Sequence, residues 1–149
     1  MNNSFFKTRA FLVVYGVADA GLVLYGMFAL IRPNLLMEPF SASVYQFPAD
    51  AAVAIAYFLG IFRLLGFLNL IIGSAGLFFL WRYQATRETW LRYGVAALSI
   101  LSYLGPIIFD NTVGQIGFFE IIEHVIFAAM IISGILIFTE KRTNDQSVR

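Results

Sequence analysis

The chain has 149 residues, of which 60% are hydrophobic, 17% aromatic and 13% charged, with a formal net charge of +1. Soluble domains carry about 25% charged residues, so ten basic and nine acidic side chains are too few to cover such a domain. These numbers argue against a solvated enzyme, a disordered tail and a nucleic-acid binder, and the absence of cysteine excludes disulfides and thiolate metal sites.

Four apolar segments are long enough to cross a bilayer as helices, which takes about 20 residues each. We therefore predict an all-α integral membrane four-helix bundle, a single domain with spans at about 10–31, 58–81, 93–110 and 117–139. The first segment exceeds the ~7–15 apolar residues of a signal-peptide core and no small-x-small site follows it, so we predict a retained span. The second apolar run, 51–81, is longer than one span and must tilt, break or project.

The basic residues predict the orientation. Short cytoplasmic connections of membrane proteins are enriched in Lys and Arg. Four spans place eight of the ten basic residues on one side, namely Lys7, Arg9, Arg82, Arg87, Arg92, Lys141, Arg142 and Arg149. The opposite side has only Arg32, so both termini, 1–9 and 140–149, are predicted to be cytoplasmic, in a bacterial inner membrane. The long connection 32–50 is apolar with scattered polar residues, and we expect it to lie on the outer interface.

Five ionisable residues fall in one layer near the other end of the predicted bundle. We call them the outer layer: Arg63, Asp110, Glu120, Glu123 and His124. The spacing of Glu120, Glu123 and His124 places all three on one side of the fourth span. Arg63 continues a stripe of small residues, Gly66, Gly73 and Gly76, that should face a neighbouring helix. We therefore predict that Arg63 forms an ion pair with Glu120 or Glu123.

The outer layer also has structural explanations. An arginine near the interface can extend to lipid phosphates, and carboxylates suit the start of a helix. A single histidine beside them is often a hydrogen-bond partner. Deeper in the bundle, Asp19 lies at the depth of Asn69 and Ser74, and we predict that Asp19 and Asn69 are structural polar residues tying the first two spans together.

The residue types limit the chemistry. The sequence Glu120-Ile121-Ile122-Glu123-His124 occurs once and the chain has one histidine, so we predict no metal site, with Glu120, His124 and Asp110 as weak candidates for a single ion. Haem with two histidine ligands would need another subunit. Glu123 and His124 are the candidates for acid–base catalysis. Ser99 and Ser102 lack a base at their depth, and no phosphate loop occurs, so the sequence assigns no cofactor.

At the level of layout, the chain resembles the small four-span bacterial membrane proteins of the DoxX-like and related families of unknown function. The resemblance is carried by Arg32-Pro33 at the end of the first span, by Arg63-Leu64-Leu65-Gly66 with Gly73 seven residues on, and by an acidic residue at the mouth of spans three and four. It implies a bundle architecture and carries over no site residue.

We therefore expect an integral membrane binding or accessory protein. Arg63, Asp110, Glu120, Glu123 and His124 would form an outer polar pocket for a lipophilic molecule, or for a partner membrane subunit. The alternative is a small membrane enzyme in which Glu123 and His124 act on a lipid, quinone or isoprenoid. The expected partners are membrane lipids and a second copy or larger complex, and not nucleic acid.

Overall fold

The computed structural model describes residues 3–33, 52–113 and 118–139. Within these ranges the chain forms four long helices and no strand. They are α1 (Asn3–Ile31), α2 (Ala52–Thr86), α3 (Thr89–Val113) and α4 (Phe118–Phe138). All four are long and apolar enough to cross a membrane. The all-α four-helix membrane bundle is thus confirmed, whereas nearly all of the predicted outer segment 32–50 and the tail 140–149 lie outside the described residues.

Consecutive helices run in opposite directions and occupy the four corners of the bundle. α1 packs against α2 and α4, and α3 packs against the same two helices, so α2 and α4 lie on a diagonal. The start of α1 and the end of α4 meet at one end, where Phe11 contacts Phe138 with ring centroids 6.5 Å apart. This end, which we call the basic end, also carries Arg9, Arg82, Arg87 and Arg92.

The connection between α2 and α3 consists of two residues, Arg87 and Glu88. Arg87 adopts a φ of 58°, in the left-handed region that commonly follows the last residue of a helix. Its backbone N–H donates to the carbonyl of Tyr83 at 2.9 Å, which satisfies one of the free carbonyls at the end of α2. The sharp reversal places the first turn of α3 directly beside the last turn of α2.

Aromatic side chains fill the core near the basic end. Phe11 and Tyr15 of α1 are fully buried, with ring centroids 4.4 Å apart. Phe11 also meets Tyr83 of α2 edge-on at 6.1 Å. The Tyr15 hydroxyl donates to the backbone carbonyl of Met130 in α4 at 3.1 Å. Three helices are therefore joined around one end of α1.

Glycines allow α1 and α2 to approach closely along their whole contact. A methyl group at Gly26 would lie 2.6 Å from the carbonyl oxygen of Gly66, and one at Gly66 would lie 2.7 Å from Cβ of Ala29. A methyl at Gly73 would lie 2.6 Å from the carbonyl oxygen of Asp19. Small residues at such positions let helix backbones come into direct contact in membranes.

α2 is unbroken and extends past the end of α1. Gly66 packs beside Leu30, so α1 ends near the level of Arg63. The eleven residues of α2 from Ala52 to Phe62 continue beyond that level for roughly 16 Å, at about 1.5 Å per residue. Of the three arrangements that the sequence permitted for the overlong apolar run, the continuous helix excludes a break, whereas tilting in the bilayer and projection beyond it stay predictions.

Candidate functional site

The acidic face of α4 points toward the protein. Glu120, Glu123 and His124 are half-buried, whereas Val125 beside them is 63% exposed. The shared face that the spacing predicted for the three polar residues is therefore confirmed. Apolar residues of the same turns face outward, as expected for a helix in lipid.

The imidazole of His124 is held by two hydrogen bonds. Its Nδ1 lies 2.6 Å from the backbone carbonyl oxygen of Glu120, and its Nε2 lies 3.1 Å from the side-chain nitrogen of Asn111 in α3. A carbonyl oxygen can only accept, so Nδ1 carries the proton. Asn111 Nδ2 then donates to Nε2, and it also donates to the carbonyl of Ile107 at 2.7 Å. The contacts fix one ring tautomer.

This arrangement leaves neither nitrogen of His124 available to a substrate or metal. Within the part of the chain that the structure describes, no group of three or more His, Asp or Glu residues is placed to hold a metal ion. The geometry therefore favours a positioning role for His124 over proton transfer. Asn111 was missed by the sequence analysis, although its place beside Asp110 at the end of the third span was the available signal. The Asp110 side chain lies outside the description.

Arg63 does not continue the buried glycine stripe, and that expectation is wrong. Gly66 and Gly76 are buried, but the Arg63 side chain is exposed. At about 100° per residue, Arg63 is rotated by about 60° from Gly66, in the direction away from Gly76. Its helix also lies diagonally across the bundle from α4. The ion pair with Glu120 or Glu123 stays a prediction.

A second polar group lies deep between three helices. Asp19 of α1 and Ser99 of α3 are both 0% exposed. Ser99 Oγ lies 2.7 Å from Asp19 Oδ1, to which it donates, and 2.9 Å from the carbonyl of Val95. The predicted partners of Asp19, Asn69 and Ser74, are therefore wrong, as is the expectation that Ser99 has no carboxyl group at its depth.

The position of Gly76 explains why Asp19 does not meet the predicted partners on α2. Asp19 packs against Gly76, and Asn69 lies seven residues away, about 10 Å along the helix. Ser74 lies about 200° around α2 from Gly76 and is exposed. The depth of each residue in the membrane could not distinguish these alternatives. The angular position of a residue around its helix decides which neighbouring residues it contacts.

The carboxyl group of Asp19 fills the space that a side chain at Gly76 would need. A methyl group at Gly76 would overlap Oδ2 and would lie 2.5 Å from Cγ. Oδ2 is buried and has no hydrogen-bond partner among the described residues. Because both Asp19 and Ser99 are closed to solvent, this junction joins helices and offers no access to a substrate.

Two tyrosines form further hydrogen bonds between α1 and its neighbouring helices. Tyr103, one turn beyond Ser99 on α3, donates its hydroxyl proton to the backbone carbonyl of Ala18 at 3.0 Å. Tyr15 binds the Met130 carbonyl of α4 in the same way. These roles were not predictable from the sequence, because a tyrosine in an aromatic-rich span has no distinguishing spacing.

No protein-family model, no curated protein and no solved structure matches this chain. The functional conclusion therefore rests on the residues themselves.

Proposed function

We propose that this chain is an integral membrane binding or accessory protein whose outer layer receives the polar end of a lipophilic molecule, such as a lipid, quinone or isoprenoid. The proposal includes a bacterial inner membrane and cytoplasmic termini, with the basic end facing the cytoplasm. It also includes association, either with a second copy or within a larger membrane complex.

The fixed imidazole of His124 is the observation that carries the proposal. In a mainly apolar bundle, α3 and α4 present Asn111, Glu120, Glu123 and His124 together near one end. Polar groups in and beside hydrocarbon are costly, and by default they are candidates for a functional site. An amphiphile matches such a place, because its tail suits apolar walls and its head suits a few placed polar groups.

The same geometry supports binding over catalysis. A general acid or base must exchange its proton with a substrate, but both nitrogens of His124 are engaged within the protein. Binding needs only that the polar surface be held in place, which the two hydrogen bonds accomplish.

The proposal is tested by identifying what purifies with the protein. The protein is extracted in mild detergent, and bound molecules are identified by mass spectrometry and by an absorption spectrum. We expect a lipophilic molecule in stoichiometric amount, reduced in His124→Leu. Thr112→Val is the matched control, because the Thr112 hydroxyl lies at the same end of α3 and donates to the Ile108 carbonyl of its own helix at 2.7 Å.

Three results would contradict the proposal. They are a wild-type protein without a bound lipophile, equal retention in His124→Leu, and equal loss in the Thr112→Val control. Native mass spectrometry that shows only a monomer without bound lipid would contradict both the ligand and the association. If association persists without a ligand and is lost in His124→Leu, the outer layer serves a partner subunit instead.

A further inference from the structure

Three arginines at the basic end lie over aromatic rings. The guanidinium carbon of Arg9 is 4.4 Å from the ring centroid of Phe5, and that of Arg87 is 5.7 Å from the centroid of Tyr83. The guanidinium carbon of Arg92 lies over two rings, those of Tyr93 and Phe138. A cation over a ring face is attracted by the ring quadrupole. The pattern recurs in α1, in the α2–α3 connection and in α3.

Arg92 occupies the most constrained of these positions. The rings of Tyr93 in α3 and Phe138 in α4 are stacked, with centroids 4.6 Å apart and planes 3° from parallel. The Arg92 guanidinium carbon lies 5.1 Å from the Phe138 centroid and 5.7 Å from the Tyr93 centroid. Its Nε is buried and has no hydrogen-bond partner among the described residues. The cation is thus held at the junction of two helices.

Among the described residues of this end, cations outnumber carboxylates. The described residues of the basic end include five cations and one carboxylate, Glu88, which accepts a hydrogen bond from the indole N–H of Trp90. The cations are Lys7, Arg9, Arg82, Arg87 and Arg92. The excess of positive charge attracts anions to this end.

We propose that Arg92 is the anchor of a binding site for the phosphate of an anionic phospholipid. A guanidinium whose face rests on a ring and whose Nε is buried keeps the edge formed by its two terminal nitrogens for phosphate oxygens, a geometry that suits bidentate binding. The site lies where an interfacial lipid would lie, because Trp81 and Trp90 are 61% and 59% exposed around the same end. This inference is independent of the outer layer.

Charge selects an anionic lipid over a zwitterionic one. A choline or ethanolamine head group carries a cation that the five described cations of this end would repel. A glycerol head group has no such cation. Its glycerol and first acyl carbons can instead lie along the exposed aromatic rings.

Competition between two phospholipids in one preparation tests the site. The full-length protein is equilibrated in mixed micelles containing equal amounts of phosphatidylglycerol and phosphatidylcholine, and the retained lipid is counted by native mass spectrometry. We expect wild-type protein to retain phosphatidylglycerol preferentially. Arg92→Gln should lower this retention by about fivefold, the equivalent of about 1 kcal/mol. Inorganic phosphate added to the micelles should not displace the lipid.

Arg82→Gln is the matched control. Arg82 is an exposed cation at the same end, and no ring contact is found for it among the described residues. Its loss should change retention by less than about twofold if the held cation dominates. Equal losses in the two variants would show diffuse attraction and overturn the site, as would the absence of a preference for phosphatidylglycerol. Displacement by inorganic phosphate would overturn the lipid assignment.

Phe138→Leu keeps the proposal falsifiable if Arg92→Gln does not fold. This variant removes the nearer of the two rings under the guanidinium, leaves the Tyr93 ring and keeps every charge in place. We expect it to lower phosphatidylglycerol retention in the same direction as Arg92→Gln, with Arg92→Lys between wild type and Arg92→Gln. Unchanged retention in a folded Phe138→Leu protein would contradict the role of the ring.

Discussion

At the scale of single residues, Asp19 is the most demanding side chain in the bundle. A carboxyl group in an apolar interior is costly unless it is hydrogen-bonded. Ser99 supplies one hydrogen bond, and the absence of a side chain at Gly76 supplies the room. The residue therefore joins α1, α2 and α3 at one point, and each of its neighbours can be tested separately.

Gly76→Ala should destabilise the protein, because the new methyl group would overlap the Asp19 carboxyl group. Overpacking of a well-packed core typically costs about 1–3 kcal/mol, measured as a loss of unfolding free energy in detergent. Gly60→Ala is the control, since Gly60 is exposed and nothing lies within 4 Å of a methyl there. We expect it to be neutral or slightly stabilising. Similar losses in both variants would disprove the overlap.

Ser99→Ala should also destabilise the protein, because Asp19 Oδ1 would lose its donor while remaining buried. We expect a loss of about 1–2 kcal/mol in unfolding free energy. Ser102→Ala is the comparison, because the hydrogen bond found for the Ser102 hydroxyl among the described residues stays within its own helix, to the Leu98 carbonyl. If the two serine variants behave alike, the contact between α1 and α3 contributes nothing specific.

At the scale of helices, apolar length predicts the elements well and their facing residues poorly. Each predicted span lies within one observed helix to within one residue, because about 20 apolar residues have few alternatives in a membrane. The shared face of Glu120, Glu123 and His124 was predictable from spacing within one helix. The pairing of Asp19 with Ser99 was not, because it depends on the rotation of α1 relative to α3.

Tyr103→Phe tests the contact between α1 and α3 without changing the packed volume. It removes the hydroxyl that binds the Ala18 carbonyl. Hydrogen bonds between membrane helices contribute about 0.6 kcal/mol on average, so we expect a loss of that order in unfolding free energy. Tyr57→Phe, at an exposed tyrosine of α2, should have no measurable effect. If Tyr103→Phe leaves the unfolding free energy unchanged, this hydrogen bond does not stabilise the contact between α1 and α3.

At the scale of the whole molecule, the bundle has two chemically different ends. One collects five described cations among aromatic rings, and the other collects the half-buried carboxylates and imidazole of α4. Charge counting along the sequence predicted this asymmetry. It could not predict which cations would be held by rings, since Phe138 and Arg92 are distant in the sequence and meet only through packing of α3 and α4.

Cysteine labelling tests the proposed orientation directly. The chain has no cysteine, so a single introduced thiol gives no background. We expect Leu36→Cys and Val113→Cys to react with a membrane-impermeant thiol reagent added outside the cell. We expect Gln84→Cys to react only after the membrane is permeabilised. If position 36 or 113 is labelled only from the cytoplasmic side, the proposed topology is wrong.

Photo-crosslinking tests the proposed ligand site most directly. The protein is incubated with a lipid analogue that carries a diazirine beside its polar head, and adducts are mapped by mass spectrometry of peptides. The account predicts adducts concentrated on the adjoining parts of α3 and α4 around Asn111 and His124, reduced by His124→Leu and retained in Thr112→Val. Adducts spread evenly over the exposed apolar faces, and unchanged by His124→Leu, would contradict it.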